Sequence, residues 1–404
     1  MFKWTRHIGP GTLIAAAFIG PGTVTVCTLA GVNHGYELLW AMLFSIFATI
    51  VLQEMSARIG FVTKRSISEI INQEISSRAA KVFSILLILS AILIGNAAYE
   101  GGNLSGAVLG FSIFLEEYGS IYKTAISVGI ALLAFIILFL GNYKFLEKLL
   151  VAVVVMMSLS FTIAAIGTHP PVIEVLKGMF LFRIPSDSLL TIMALIGTTV
   201  VPYNLFLHAA LTKEKWREGG SLRSVRIDLY VSILLGGLVS IMIIMSAAVF
   251  KDGNLVITDA SDMARGLEPL MGSWSKIMIG VGLFAAGLTS AITAPLATAY
   301  VVTGLLGWEN NMKGFRFRMV WIAVLVIGLM ISVSGFKPVI IINYAQFTNG
   351  LLLPIIAGYL LWIVNKKSIV KNHRNTTTQN ILGFIILIVT IALGLKSILG
   401  VLTS

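Results

Sequence analysis

The sequence predicts an all-α integral membrane fold of two inverted five-helix repeats plus an eleventh helix. Three observations predict it. Apolar runs long enough to cross a bilayer recur along nearly the whole chain. Two of those runs are broken at mid-length by proline, and the two breaks lie five spans apart.

Composition sets the solvent. Of 404 residues, 57% are hydrophobic and 12% charged, with a mean hydropathy of +0.93; a soluble domain carries about 25% charged residues. No polar segment is left over for a second domain, so one transmembrane domain is expected over residues 1–404. The net charge of +11 is read as basic loops that orient helices, with the lipid bilayer as partner and no nucleic acid. A single cysteine, Cys27, excludes an intrachain disulfide. Lys3 and Arg6 ahead of an apolar run resemble a leader, but no small-residue cleavage site follows, and the run is expected to be retained.

Eleven spans are expected, at about 8–31, 36–58, 82–113, 121–141, 147–167, 187–211, 227–250, 274–306, 316–335, 338–364 and 380–400. With the N-terminus in the cytoplasm, 21 of the 29 lysines and arginines fall on cytoplasmic segments. Outer segments keep few, alongside acids such as Glu116, Glu117, Asp252, Asp259 and Asp262. This bias predicts a cytoplasmic N-terminus and an outer C-terminus in a bacterial plasma membrane.

Span 1 carries Ile19-Gly20-Pro21-Gly22-Thr23 at its middle and span 6 carries Val200-Val201-Pro202-Tyr203-Asn204. Proline removes a backbone donor and clashes with the preceding turn. The groups it frees find no partner in lipid, so such breaks belong where a cavity is lined. Five spans separate the breaks, an odd number, so they sit in helices of opposite direction. That predicts a first repeat at 1–167, an inverted second at 187–364 and an additional helix at 380–400. Two unrelated proline kinks are the structural alternative. With a cavity between the breaks, the expected substrate-binding residues beside them are Gly20, Pro21, Thr23, Thr198, Thr199, Val201, Tyr203 and Asn204.

Several segments resemble the Nramp divalent-metal/proton symporters. They are Gly9-Pro10-Gly11, Gly20-Pro21-Gly22-Thr23 and Ala30-Gly31; Gly35-Tyr36-Glu37-Leu38-Leu39-Trp40 with Leu52-Gln53, Ser56-Ala57-Arg58 and Val62-Thr63; and Ala194-Leu195-Ile196-Gly197 through His208. Ala285-Ala286-Gly287 with Ser290 and Ile292-Thr293, and Asn343-Tyr344-Ala345-Gln346, fit the family's eighth and tenth helices. The resemblance implies a LeuT-like fold and secondary-active transport of a metal cation, such as manganese or hydrated magnesium, with proton coupling. The family binds metal through Asp-Pro-Gly-Asn and Met-Pro-His motifs. Here Gly20 and Thr23 stand where the Asp and Asn belong, and Val201 and Tyr203 replace the Met and His. Magnesium-transporting relatives keep an acid at the site; this sequence has none there.

The resemblance adds Gln346 of the tenth helix to the substrate-binding residues, and the remaining donors are neutral. Metal candidates are Thr23, Gln346 and the backbone of Gly20 and Thr198. Hard divalent cations ordinarily take a carboxylate, although magnesium dehydrates reluctantly and enters a site with its water. The positive N-termini of the half-helices equally suit an anion or a zwitterion's carboxylate. Three readings stand: a cation transporter, a transporter of a small anionic or zwitterionic organic solute, and a sensor that does not transport.

Acids within spans are costly and functional by default. The resemblance places Glu100 where the family has an acid of its proton route, Asn103 where it has a second, and His208 where it has a pathway histidine. The structural alternatives are a paired acid and a hydrogen-bonded histidine. Glu54, one turn before Arg58, is read as a helix-surface ion pair. Gly102 and Gly106 suit close helix packing. Trp4, Trp40, Trp274 and Trp362 are expected as interfacial anchors. No phosphate loop, His/Cys cluster or nucleophile motif appears, so no enzyme activity and no cofactor are expected.

Overall fold

The computed structural model describes residues 19–115, 120–141, 144–216, 219–251, 257–265, 268 and 272–403. Residues 8–18 of the first expected span, with Gly9-Pro10-Gly11, lie outside the described residues, as do Trp4, Glu116, Glu117 and Asp252.

Every regular element among the described residues is helical. In chain order they are α1 (Pro21–His34), α2 (Leu39–Thr63), α3 (Ile67–Glu74), α4 (Arg78–Ser112), α5 (Ser120–Leu140), α6 (Lys144–Gly167), α7 (Val172–Phe180) and α8 (Leu189–Thr199). They continue with α9 (Pro202–Lys215), α10 (Leu222–Ala248), α11 (Ala260–Arg265), α12 (Trp274–Leu306), α13 (Phe315–Ser332), α14 (Pro338–Asn365), α15 (Lys367–Val370) and α16 (Thr377–Thr403). Nine helices among the described residues are long and apolar enough to cross a membrane, with α8 and α9 together forming one span, Leu189–Lys215. The expected spans all find their helices, and α1 is the second half of the first.

Much of the packing has the symmetry that an inverted repeat produces. Let α1, α2, α4, α5 and α6 correspond to α8–α9, α10, α12, α13 and α14. The contact of α1 with α10 then maps onto that of α9 with α2, and both are made. Likewise α4 packs on α13 and α14, while α12 packs on α5 and α6. The pairs α4–α12 and α2–α10 map onto themselves. The eleventh helix, α16, lies outside this scheme against α14, α8 and α2.

Large apolar side chains stay exposed along the outer faces: Phe83, Leu86 and Ile94 of α4, Leu132 and Ile136 of α5, Phe384 and Ile388 of α16. A soluble protein would hide them, whereas lipid is as apolar as they are. The interior collects polar groups instead, including Asn96, Glu100, Asn103, Asn204, His208, Gln346 and Asn349.

Four short helices, α3, α7, α11 and α15, lie outside the expected spans. α3 begins at a capping box, with the Ser66 hydroxyl accepting from Glu69 N–H and the Glu69 carboxylate accepting from Ser66 N–H. α7 follows α6 after a bend of 118°, and exposes Val172, Ile173, Leu176 and Phe180. Trp40 departs from an interfacial anchor: it is buried, its indole N–H donating to the Arg183 carbonyl at 2.8 Å.

Candidate functional site

The two breaks meet. α1 starts at Pro21 behind Gly20, which is extended and offers no side-chain cap. Across from it, α8 ends at Thr199, Val200 and Val201 carry the chain over, and α9 starts at Pro202. Pro202 has no N–H, so the Thr198 carbonyl lacks the amide that an unbroken helix would supply. The Gly20 carbonyl, by contrast, accepts from Val24 N–H at 3.2 Å.

The Thr23 and Thr198 hydroxyls bond each other at 2.9 Å. Gln346 of α14 wedges between the breaks. A Cβ added at Gly22 would fall 2.2 Å from its Nε2, and one at Gly197 would fall 1.8 Å from its backbone oxygen. Only glycine lets α1, α8 and α14 converge this closely. On the other side α4 approaches through Gly106, whose added Cβ would strike Pro21 at 2.1 Å, while Gly102 faces Ala345 and Ile342. The small-residue pair on α4 therefore packs as its spacing predicts.

Thr23, Thr198, Tyr203, Asn204 and Gln346 are each 0–1% exposed, so the side chains around the two breaks are buried. Among buried side chains, both polar atoms of Asn204 and the Oε1 of Gln346 have no hydrogen-bond partner. Leaving such groups unpaired away from water costs about 1–3 kcal/mol each. Tyr203 meets the ring of Tyr99 edge-on, with centroids 5.3 Å apart. Thr199 turns away from the site, its hydroxyl donating to the Leu195 carbonyl at 3.0 Å with the Met42 sulfur 3.7 Å away. Val201 is buried and offers only its carbonyl, which accepts from Asn204 N–H at 3.1 Å. Among the described residues, no group of three or more His, Cys, Asp or Glu is placed to hold a metal ion.

The proton-route candidates look to different helices. Glu100 of α4 points at α13, where a Cβ on Gly328 would strike its side chain. Asn103 donates to Glu100 Oε2 at 3.3 Å, and Oε1 has no partner. His208, on α9, pairs through Nδ1 with the Gln53 Oε1 of α2 at 2.7 Å. Gln53 was not foreseen as its partner, since nothing in the sequence joins positions so far apart. Glu54 is an ion-pair residue, with Arg58 at 3.1 Å and also Arg226 of α10 at 2.7 Å.

A family profile described as natural resistance-associated macrophage protein-like, Nramp, matches residues 11–400. The chain belongs to the Nramp family. It is accordingly an integral membrane transporter and not an enzyme. The divalent metal cation transporter MntH of Erwinia tasmaniensis is 24% identical over 396 residues, 96% of this chain and 92% of that protein. A crystal structure of the Eremococcus coleocola manganese transporter superposes with a TM-score of 0.78 at 21% identity, covering 98% of this Nramp chain and 87% of that one. MhsT, solved in complex with L-phenylalanine, superposes with a TM-score of 0.63 at 14% identity, covering 96% and 98%. The fold is thus the LeuT-like one.

Proposed function

We propose that this Nramp protein carries a divalent metal cation across the membrane and holds it at the two breaks through neutral oxygens and retained water. The observation that carries this reading is the unpaired Oε1 of Gln346, buried with Asn204 beside the Thr23–Thr198 pair. Carboxamide and hydroxyl oxygens accept from the protons of metal-bound water. Magnesium or manganese entering with part of its shell suits that donor set better than a bare ion, which wants a carboxylate. The metal cargo of the MntH relative and of the manganese transporter supports the same choice.

The proposal extends to coupling and placement. Glu100, with Asn103 beside it, and His208 are the groups able to carry a proton. The protein sits in a bacterial plasma membrane with its N-terminus in the cytoplasm and its C-terminus outside. Residues 1–167 form the first repeat, 187–364 the second and 380–400 the additional helix of a single domain.

One observation favours a second reading. The N-termini of α1 and α9 both lack a side-chain cap, which suits the carboxylate of an anionic or zwitterionic solute. Uptake into proteoliposomes decides between them. The expected result is saturable manganese or magnesium uptake that a Thr23→Val/Tyr203→Phe variant loses. Amino-acid or anion uptake without metal uptake would establish the second reading. Binding without flux would make the protein a sensor.

A further inference from the structure

α14 carries two carboxamides on one face. Gln346 belongs to the break site. Asn349 lies three residues on, so it shares the face and sits about 4.5 Å farther along the axis. It is 1% exposed, and its amide nitrogen has no hydrogen-bond partner.

Its surroundings are as specific as its burial. α14 runs antiparallel along α4, with Ile342 at Gly106, Ala345 at Gly102 and Asn349 at Gly95. Asn349 therefore lies toward the start of α4, away from the level where Gly106 meets Pro21 and toward the cytoplasm in the proposed orientation. A Cβ on Gly95 would come 3.5 Å from the Asn349 Oδ1. The next residue of α4, Asn96, is also buried and donates to the Thr298 hydroxyl of α12 at 2.5 Å.

Asn96 has an ordinary structural role, an interhelical hydrogen bond between α4 and α12. Asn349 does not. A leucine has the same branched shape and would leave no unpaired amide in the interior. Native structures keep few unpaired groups of this kind, and water or an ion commonly accounts for them.

We infer that Asn349 is a second, inner step of the cation path, receiving the partly hydrated ion as it leaves Gln346. A carboxamide suits this step. Its oxygen accepts from water bound to the metal, and its N–H donates to water beyond. Two weak neutral steps in series let an ion enter without trapping it. The inference rests on the metal reading above.

The test uses the full-length protein in proteoliposomes, with manganese alone and then magnesium alone. Asn349→Leu is expected to raise the manganese KM about tenfold, the loss of one hydrogen-bonded contact to the shell, while elution and unfolding stay those of the wild type. Asn349→Asp, which adds a charge to the same shape, is expected to lower KM for both ions and to slow turnover. Asn349→Ser serves if the leucine variant does not fold, and is expected to keep an intermediate KM. An unchanged KM and an unchanged manganese-to-magnesium ratio in folded Asn349→Leu or Asn349→Ser overturns the inference. So does a fall in maximal rate that only follows lost stability. Wild-type protein without metal uptake sinks the metal reading and this step together; wild-type uptake with indifferent variants sinks this step alone.

Discussion

Replacing Glu54 by glutamine removes one charge and leaves two arginines behind, and the structure ranks what each loses. The Glu54 side chain is 7% exposed, Arg58 2% and Arg226 38%. Arg58 keeps two hydrogen bonds, from Nη1 to the His373 carbonyl at 2.8 Å and from Nη2 to the Asn375 Oδ1 at 2.5 Å. Glu54 is its only carboxylate among the described ion pairs. Stranding a buried charge costs about 3–5 kcal/mol. Arg226 is more than a third exposed, so solvent screens its share to about 0–1 kcal/mol. Glu54→Gln is therefore expected to destabilise by about 3–5 kcal/mol, and Arg226→Ala by less than about 1 kcal/mol. Glu54→Gln/Arg58→Met, which removes both buried charges, is expected to recover part of the loss. Denaturant or thermal unfolding of the purified protein in lipid nanodiscs reads all three. Equal damage from Arg226→Ala and Glu54→Gln, or a Glu54→Gln loss under about 1 kcal/mol, would refute the reasoning.

Other perturbations follow from the same packing. Gly197→Ala drives a methyl into the backbone of Gln346 and Gly350; with no flexible side chain to yield, at least about 1–3 kcal/mol should be lost, visible as reduced folded yield on size exclusion. Gly129→Ala in α5 meets nothing within 4 Å and should be neutral or stabilise by up to about 1 kcal/mol. Glu100→Gln should leave the protein assembled and flatten the pH dependence of uptake; an unaltered pH profile would remove Glu100 from the proton route. Gln53→Leu deprives His208 of its 2.7 Å partner and should shift the pH profile in the same direction as replacing His208 itself.

What could be read from the sequence follows from the range of each signal. Apolar runs and the two prolines are local, and they located every described span and both breaks. The Ser66-to-Glu69 spacing is a local signal too, and it marks the start of α3 that the span reading passed over. The donors at the breaks were legible because they neighbour the prolines: Thr23, Thr198, Tyr203 and Asn204 all stand within four residues of Pro21 or Pro202. Their arrangement was not. That Gln346 sits between Gly22 and Gly197 depends on three helices converging, and each glycine alone reads as a plain helix residue. The partners of His208 and Glu54 lay hidden for the same reason, since Gln53 and Arg226 come from helices more than 150 positions away. Asn349 was passed over as one polar residue in an apolar run; its burial without a partner for its amide nitrogen, one helical turn from Gln346, singles it out.

The uncharged break site has an electrical consequence. Its described side chains carry no formal charge, so a divalent cargo brings both of its charges uncompensated into the membrane, and the empty site brings none. At this site the transmembrane voltage then acts on the cargo's charges and not on the side chains that hold it, at about 2.3 kcal/mol per charge for each 100 mV. Two charges make about 4.6 kcal/mol, about a 2,000-fold accumulation ratio at equilibrium. A carboxylate at Gly20 would split that work between the inward and return strokes. With glycine there, the return of the empty site moves no charge of its own through the field.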